Sequence, residues 1–234
     1  MERIATESEP FEEHLEFIET LSNHVFLTFD KKNEKILFDF GFIKDFLLDC
    51  FDEQVLETLD LNLNKLDIPC AVIHPSAFEF LAGARPTAMT IHLMPSEMKM
   101  DIALILGIRP ELIMNKKFIL IKAMDNGEFN DLDLIHESSH IIYPSTKPSS
   151  LDETYLFNID EILAFINEIL VAQYIKKINF EQYIQHKIHS GLTLSKKPMK
   201  MFQYIWDLTS GQDFWSITLN DKHVWGEHVL NYTL

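Results

Sequence analysis

Residues 136–140 read His136-Glu137-Ser138-Ser139-His140, with two histidines four positions apart and a carboxylate beside the first. Positions i and i+4 lie on one face of an α-helix, so both imidazoles can reach one metal ion. Glu137 then stands next to that ion, where it can hold a water molecule. This is the arrangement that a zinc hydrolase requires.

The residues around this HExxH motif predict that it lies on a helix. Random placement of the chain's histidines and glutamates gives about 0.04 such motifs, so the motif needs support from its surroundings. Asn130 suits an N-cap, and Asp133 three residues later resembles the acidic residue of a capping box. Pro144 predicts the end of the helix, and the polar residues 145–150 predict a loop.

A third metal ligand is expected from the next segment, 153–178, which has the longest helical pattern in the chain. At about 100° per residue, Glu161 and Glu168 share an otherwise apolar face, whereas Asp160 points another way. A buried carboxylate is unfavourable unless it is paired or bound to a metal. We therefore predict Glu161 as the third ligand, with pairing to a basic side chain as the alternative. Glu168 is predicted to orient a ligand histidine through its far ring nitrogen.

This spacing resembles that of the zincin metallopeptidases whose third ligand is a glutamate, the gluzincins. In that family HExxH is followed by a gap near twenty residues and then Glu; here twenty residues separate His140 from Glu161. Residues 161–164 look like the family's Glu-x-x-Ala, and residues 125–135 are similar to the strand–turn–helix that precedes the motif in thermolysin-like enzymes. The resemblance covers residues 118–178.

The resemblance implies one Zn²⁺ per chain, held by His136, His140 and Glu161. It also implies a hydrolase that cleaves peptide bonds of a protein or peptide substrate with a zinc-bound water activated by Glu137. Two other interpretations stay open. The chain can be a non-catalytic zincin-like protein-binding module, or a helical interaction protein in which residues 136–140 are a coincidental surface run.

Other HExxH families fit less well. Metzincins need Gly and His where this chain has Tyr143 and Thr146. Peptide deformylases use a Gly-Cys motif, whereas Cys70 follows Pro69. A ferritin-like di-iron site needs two Glu-x-x-His units, and residues 137–140 provide one.

Composition limits the classes of partner and compartment. The formal net charge of −16 argues against nucleic-acid binding, and it fits either attraction of a basic substrate or ordinary solubility. No apolar run reaches transmembrane length, and the acidic N-terminus lacks the form of a secretory signal. Cys50 and Cys70 form neither a disulfide framework nor a CxxC site. We expect a cytoplasmic protein, or one exported without a cleavable signal peptide, with no membrane partner.

The expected fold class is α+β and zincin-like. A small mixed sheet should pack on the HExxH helix, with a helical C-terminal part and a helix-rich N-terminal extension. The expected domains are that extension, 1–67, packed on the core, and the metallopeptidase domain, 68–234. Expected helices lie near 10–24, 42–60, 153–178, 180–190 and 198–209; expected strands lie at 25–29, 36–40, 70–74, 89–94 and 118–124. Strand 89–94 is predicted as the edge strand that pairs with an extended substrate.

The sequence leaves the oxyanion donor, the substrate and the oligomeric state open. Seven side chains from the motif helix onward are eligible as donors, and no spacing rule selects one of them: His186, His189, His223, His228, Tyr143, Tyr155 and Tyr183.

Overall fold

The computed structural model describes residues 36–82, 88–90, 96–114, 117–124, 127–143, 156–189 and 194–233. The predicted helix at 10–24, the predicted strand at 25–29 and the predicted loop at 145–150 lie outside the described residues, as does Tyr155.

Four strands form one mixed sheet. They are β1 (Leu37–Phe42), β2 (Pro69–Ile73), β3 (Ala88–Thr90) and β4 (Ile119–Lys122). Their order is β1-β2-β4-β3, with β2 parallel to β4 in the centre and the outer strands antiparallel to their neighbours. The predicted small sheet and its strands at 36–40, 70–74 and 118–124 are confirmed. Residues 89 and 90 of the predicted strand at 89–94 belong to β3, which lies at one edge of the described sheet, and residues 91–94 lie outside the described residues.

Helices make up most of the described chain. They are α1 (Ile43–Cys50), α2 (Glu53–Thr58), α3 (Pro75–Ala82), α4 (Ser96–Leu106), α5 (Glu111–Met114), α6 (Asp131–Ile142), α7 (Ile159–Leu170), α8 (Phe180–His189), α9 (Lys196–Thr209) and α10 (Leu219–Thr233). The predicted α+β class is therefore confirmed. Within the described ranges, no helix combines the length and apolar character needed to cross a membrane.

The central strands are buried on both faces because helices cover each side of the sheet. Cys70 and Val72 of β2 join a large core with α1, α2 and α6 to α10, whereas Ala71 and Ile73 join a smaller core with α3 and α4. Successive strand residues point to opposite faces, so each strand contributes to both cores. The continuous apolar run of β4 is buried in the same way, which is typical of a strand covered on both faces.

The N-terminal described part belongs to this same assembly. Strand β1 pairs with β2, and α1 and α2 contribute buried side chains to the large core. The division of the chain at residue 67 stays a prediction.

Helix α6, which carries the HExxH motif, begins and ends where the sequence indicated. Asn130 is its N-cap, and Asn130 Oδ1 accepts a hydrogen bond from Leu132 N over 3.0 Å. The helix ends at Ile142, two residues before Pro144. Helices α6 and α7 pack against each other, and every residue from 162 to 170 is buried.

The predicted helix at 153–178 is shorter and less regular in the structure. Helix α7 covers Ile159–Leu170 and is followed by a π-helical turn, Val171–Ile175, in which Lys176 N bonds to Val171 O over 2.9 Å. Lys177 then takes a positive φ of 54° and ends the helix. Residues 153–155 lie outside the described residues.

The predicted helix at 42–60 is in fact two helices. Phe51 and Asp52 have extended backbone conformations between α1 and α2. Phe51 is buried in the core, and its placement there separates the two helices.

Helices α3, α4, α5 and α10 were not predicted, although two of them carry local markers. Pro75 occupies the first position of α3, where its fixed φ suits a helix start. Thr218 and Asp221 form a reciprocal capping pair at the start of α10: Thr218 N donates to Asp221 Oδ2 over 2.9 Å, and Asp221 N donates to Thr218 Oγ1 over 3.3 Å.

Candidate metal centre

Three predicted ligands meet between α6 and α7. His136 and His140 lie on one face of α6, with their ring centroids 4.8 Å apart, and Glu161 approaches them from the first turn of α7. Within the described residues, these three side chains form a group of ligand atoms close enough together to hold one metal ion.

Each of the three pairwise distances in this group is close to the spacing of ligand atoms around one zinc ion, with the two histidines facing different oxygens of Glu161. His136 Nε2 and His140 Nε2 are 3.1 Å apart. Glu161 Oε2 is 3.4 Å from His136 Nε2, and Glu161 Oε1 is 3.3 Å from His140 Nε2. Zinc–ligand bonds of about 2.0–2.1 Å at tetrahedral angles put neighbouring ligand atoms about 3.3 Å apart.

The chemistry of the group also fits a cation. Glu161 Oε2 is buried and faces His136 Nε2 at 3.4 Å, and a buried carboxylate is unfavourable unless a positive charge is close. Two imidazole nitrogens that face each other at 3.1 Å need a proton or a metal ion between their lone pairs. Two imidazoles and one carboxylate are a donor set that zinc accepts, with room for a further ligand.

The four charged or chargeable side chains at this site balance one another. Burial by itself lowers the pKa of His136, but hydrogen bonding to Glu161 and Glu168 outweighs it and raises that pKa to about 10. Burial by itself raises the pKa of Glu161, but the neighbouring His136 and His140 outweigh it and lower that pKa to about 2. The site therefore favours one positive charge between the carboxylates.

Glu168 is fully buried directly behind His136. Its Oε2 lies 3.2 Å from His136 Nδ1, the ring nitrogen that faces away from the group of ligand atoms. This is the position that its predicted role requires, because a carboxylate on Nδ1 fixes the tautomer and leaves Nε2 for the metal.

Glu137 is partly exposed and follows His136 directly on α6. It is not one of the three grouped ligands. A carboxylate beside the ligands, and not among them, is what a general base requires. The catalytic role of Glu137 stays a prediction.

Three of the five motif residues are buried, whereas Glu137 and His140 are partly exposed. His136, Ser138 and Ser139 are all buried. Asn167 of α7 ties the motif to its surroundings, since its Nδ2 donates to Ser139 Oγ over 3.0 Å and to Leu59 O over 3.2 Å. This role of Asn167 was not predicted. The available clue was an amide in a helix whose other residues, apart from three acids, are apolar.

Lys187 was likewise not predicted as part of the site. Its Nζ lies 2.6 Å from Glu168 Oε1. Lys187 shares one face of α8 with the buried Tyr183 and Ile184, which precede it by four and three positions. A basic residue therefore stands on an otherwise apolar face of the helix. That interruption is a readable signal of a buried ion pair. Asp133, expected to cap α6, is buried and lies 3.7 Å from the same ammonium.

The candidate oxyanion donors remain unassigned. Tyr143 follows the last residue of α6, and its ring packs against that of the exposed His223 at a centroid distance of 6.2 Å. Tyr183 is fully buried beside Glu168, and burial, followed by the charge of Glu168, holds the pKa of its hydroxyl well above the usual range.

Comparisons with known proteins add no relative to this description: no family model, no curated protein and no solved structure matches the chain.

Proposed function

We propose that this protein is a zinc-dependent metallopeptidase. The proposal rests on one observation above all: His136, His140 and Glu161, predicted as ligands from the HExxH motif, bring their ligand atoms together between two packed helices. Residues 21 positions apart in the sequence meet at distances that suit a tetrahedral ion.

His136, His140 and Glu161 would hold the ion. When bound, zinc polarises a carbonyl and makes a coordinated water more acidic. Glu137 accepts a proton from the water that attacks the scissile carbonyl, and then delivers that proton to the leaving amine. Water adds to the carbonyl carbon, the C–N bond breaks, and the products are two peptides.

The fold supports a zincin-like arrangement as part of this proposal. Strand β3 is at the edge of the described sheet and lies against α6. An extended peptide that pairs with such an edge would run beside the HExxH helix. We propose β3 for this role.

Metal content of tag-free protein, measured by plasma mass spectrometry beside His140→Ala, tests the first step. We expect about one zinc per chain in the wild type and its loss in the variant. No zinc in the wild type after zinc is added back would reject the metal site.

A peptide-library assay on the zinc-loaded protein tests the second step. Cleavage in the wild type, absent from Glu137→Gln, supports the peptidase. Stoichiometric zinc with no cleavage of any library would instead favour the non-catalytic protein-binding module.

A further inference from the structure

Lys187 is a buried cation next to the candidate metal centre. Its side chain is on α8 and the residue is only 5% exposed. Its ammonium contacts Glu168 Oε1 at 2.6 Å, lies 3.7 Å from Asp133 Oδ1 and sits 5.6 Å from the centre of the Phe165 ring. A lysine is seldom buried unless it is paired, so these carboxylates determine where the ammonium lies.

Glu168 uses its two oxygens for two different partners. Oε1 contacts Lys187, and Oε2 contacts His136 Nδ1 at 3.2 Å. Because both oxygens are engaged, the carboxylate can neither rotate nor shift without losing one contact. The orientation of the His136 ring depends on that carboxylate, since a ligand histidine is held by the partner of its far nitrogen.

We infer that Lys187 is a positioning residue of the metal centre: it clamps Glu168, and Glu168 in turn orients His136 so that Nε2 faces the metal. The contacts run from α8 through α7 to α6. The inference rests on the metal-binding part of the proposed function and is independent of peptide hydrolysis.

The charges in this region agree with that role. Burial by itself lowers the pKa of Lys187, but the charges of Glu168 and Asp133 outweigh it and raise that pKa, so the ammonium is charged at neutral pH. Asp133 Oδ2 and the Tyr183 hydroxyl are buried without a hydrogen-bond partner. Lys187 thus supplies positive charge to a set of buried polar groups centred on Glu168.

A double-mutant cycle separates positioning from mere neutralisation of a buried acid. The dissociation constant for zinc is measured by competition with a chromophoric chelator for the wild type, Lys187→Met, Glu168→Gln and the double variant. We expect each single variant to bind zinc about 10- to 100-fold more weakly, as is usual when the partner of a ligand histidine is disturbed. The double variant should match Glu168→Gln, because Lys187 acts only through Glu168.

Lys222→Met is the matched control. Lys222 is fully buried on α10, and its Nζ donates to Asp60 Oδ2 over 2.6 Å and to Thr58 O over 3.0 Å. It is therefore a second buried, ion-paired lysine, but its partners are not metal-site residues. Its loss should lower stability and leave the zinc dissociation constant within about twofold of wild type.

The visible spectrum of the cobalt-substituted protein distinguishes a change at the metal site from a general loss of stability, which leaves the spectrum of the folded protein unchanged. The d–d bands report ligand geometry, so they should change in Lys187→Met and stay as in the wild type in Lys222→Met.

Several outcomes would overturn the inference. The inference fails if Lys187→Met leaves both the zinc affinity and the cobalt bands unchanged. It also fails if adding Lys187→Met to Glu168→Gln weakens zinc binding further. If Lys187→Met does not fold, Lys187→Arg replaces it, because arginine keeps the positive charge but changes the contact with Glu168; changed cobalt bands then support the inference and unchanged bands and zinc affinity overturn it. If the wild type binds no zinc, the metal site itself is rejected. If the wild type binds zinc and Lys187→Met binds it equally well, only the role of Lys187 is rejected.

Discussion

Asn167 Nδ2 donates a hydrogen bond to Ser139 Oγ over 3.0 Å and thereby joins α7 to α6 one residue before the candidate ligand His140. Ser139 Oγ in turn donates to Ile135 O over 2.9 Å, so the hydroxyl is used as donor and acceptor at once. The two helices that carry the candidate ligands are therefore held in register by a buried polar contact as well as by apolar packing.

Replacing Asn167 by Leu should lower the free energy of unfolding by about 1–3 kcal/mol, because Ser139 and the carbonyl of Leu59 lose their shared donor in a buried place. Urea denaturation measures the loss. Asn220→Ala, at an exposed position on α10, is the control and should stay within about 0.5 kcal/mol of wild type. Equal stability of both variants would show that the Asn167 contact does not hold the helices together.

Glu137→Gln should retain zinc and lose turnover by about 10²- to 10⁴-fold, since the amide cannot accept the proton of the attacking water. Metal content and kcat/KM are measured on the same preparation. Glu181→Gln, an exposed change on α8, should leave both unchanged. Full activity in Glu137→Gln would remove this residue from the mechanism.

Zinc binding should release protons and weaken as the pH falls. The pKa of His136 is raised to about 10 in the metal-free protein, so at pH 7 this imidazole carries a proton that zinc must displace. We expect about one proton released per zinc, and an apparent association constant that rises about tenfold per pH unit between about pH 6 and 8. Calorimetry in buffers of different ionisation enthalpy counts the protons. An affinity independent of pH across this range would contradict the charge state assigned to His136.

Lys222→Met should destabilise the protein by about 1–3 kcal/mol, because it leaves Asp60 without its partner; the partial exposure of Asp60 keeps the loss below that of a fully buried pair. Thermal or urea unfolding measures it. Adding Asp60→Asn should recover part of the loss, since Asn tolerates the positive φ of 58° at this position. A double variant less stable than Lys222→Met would show that Asp60 has a role apart from this ion pair.

The features that the sequence predicted are those with a local cause. The HExxH spacing, the Asn130 cap and the apolar run of β4 each depend on residues within one element. Pro75 and the pair Thr218 and Asp221 are also local markers, and reading them would have revealed α3 and α10.

What the sequence did not reveal depends on tertiary packing. The contact of Asn167 with Ser139 spans 28 positions, and a helical phase can show that a polar residue faces inward without naming its partner. Lys187 and Glu168 lie on different helices, so only the packing of α8 on α7 makes them a pair. The phase of α7 placed Glu161 and Glu168 together, but it did not foresee that the helix is buried all round.

The π-helical turn at Val171–Ile175 follows α7 directly, and the two parts of this continuous helical segment contact different neighbours. Taking an additional residue to complete the turn sets later side chains back by roughly 100° relative to an uninterrupted helix. The α-helical part before the turn carries Glu161 and Glu168 of the candidate metal centre. The turn itself contacts a different neighbour: Gln173 Nε2 donates to Trp206 O over 2.9 Å, and Tyr174 Oη donates to Thr209 O over 2.7 Å, both at the end of α9. One continuous helical segment thus positions the candidate ligand Glu161 near its start and fastens to the end of α9 through the π-helical turn.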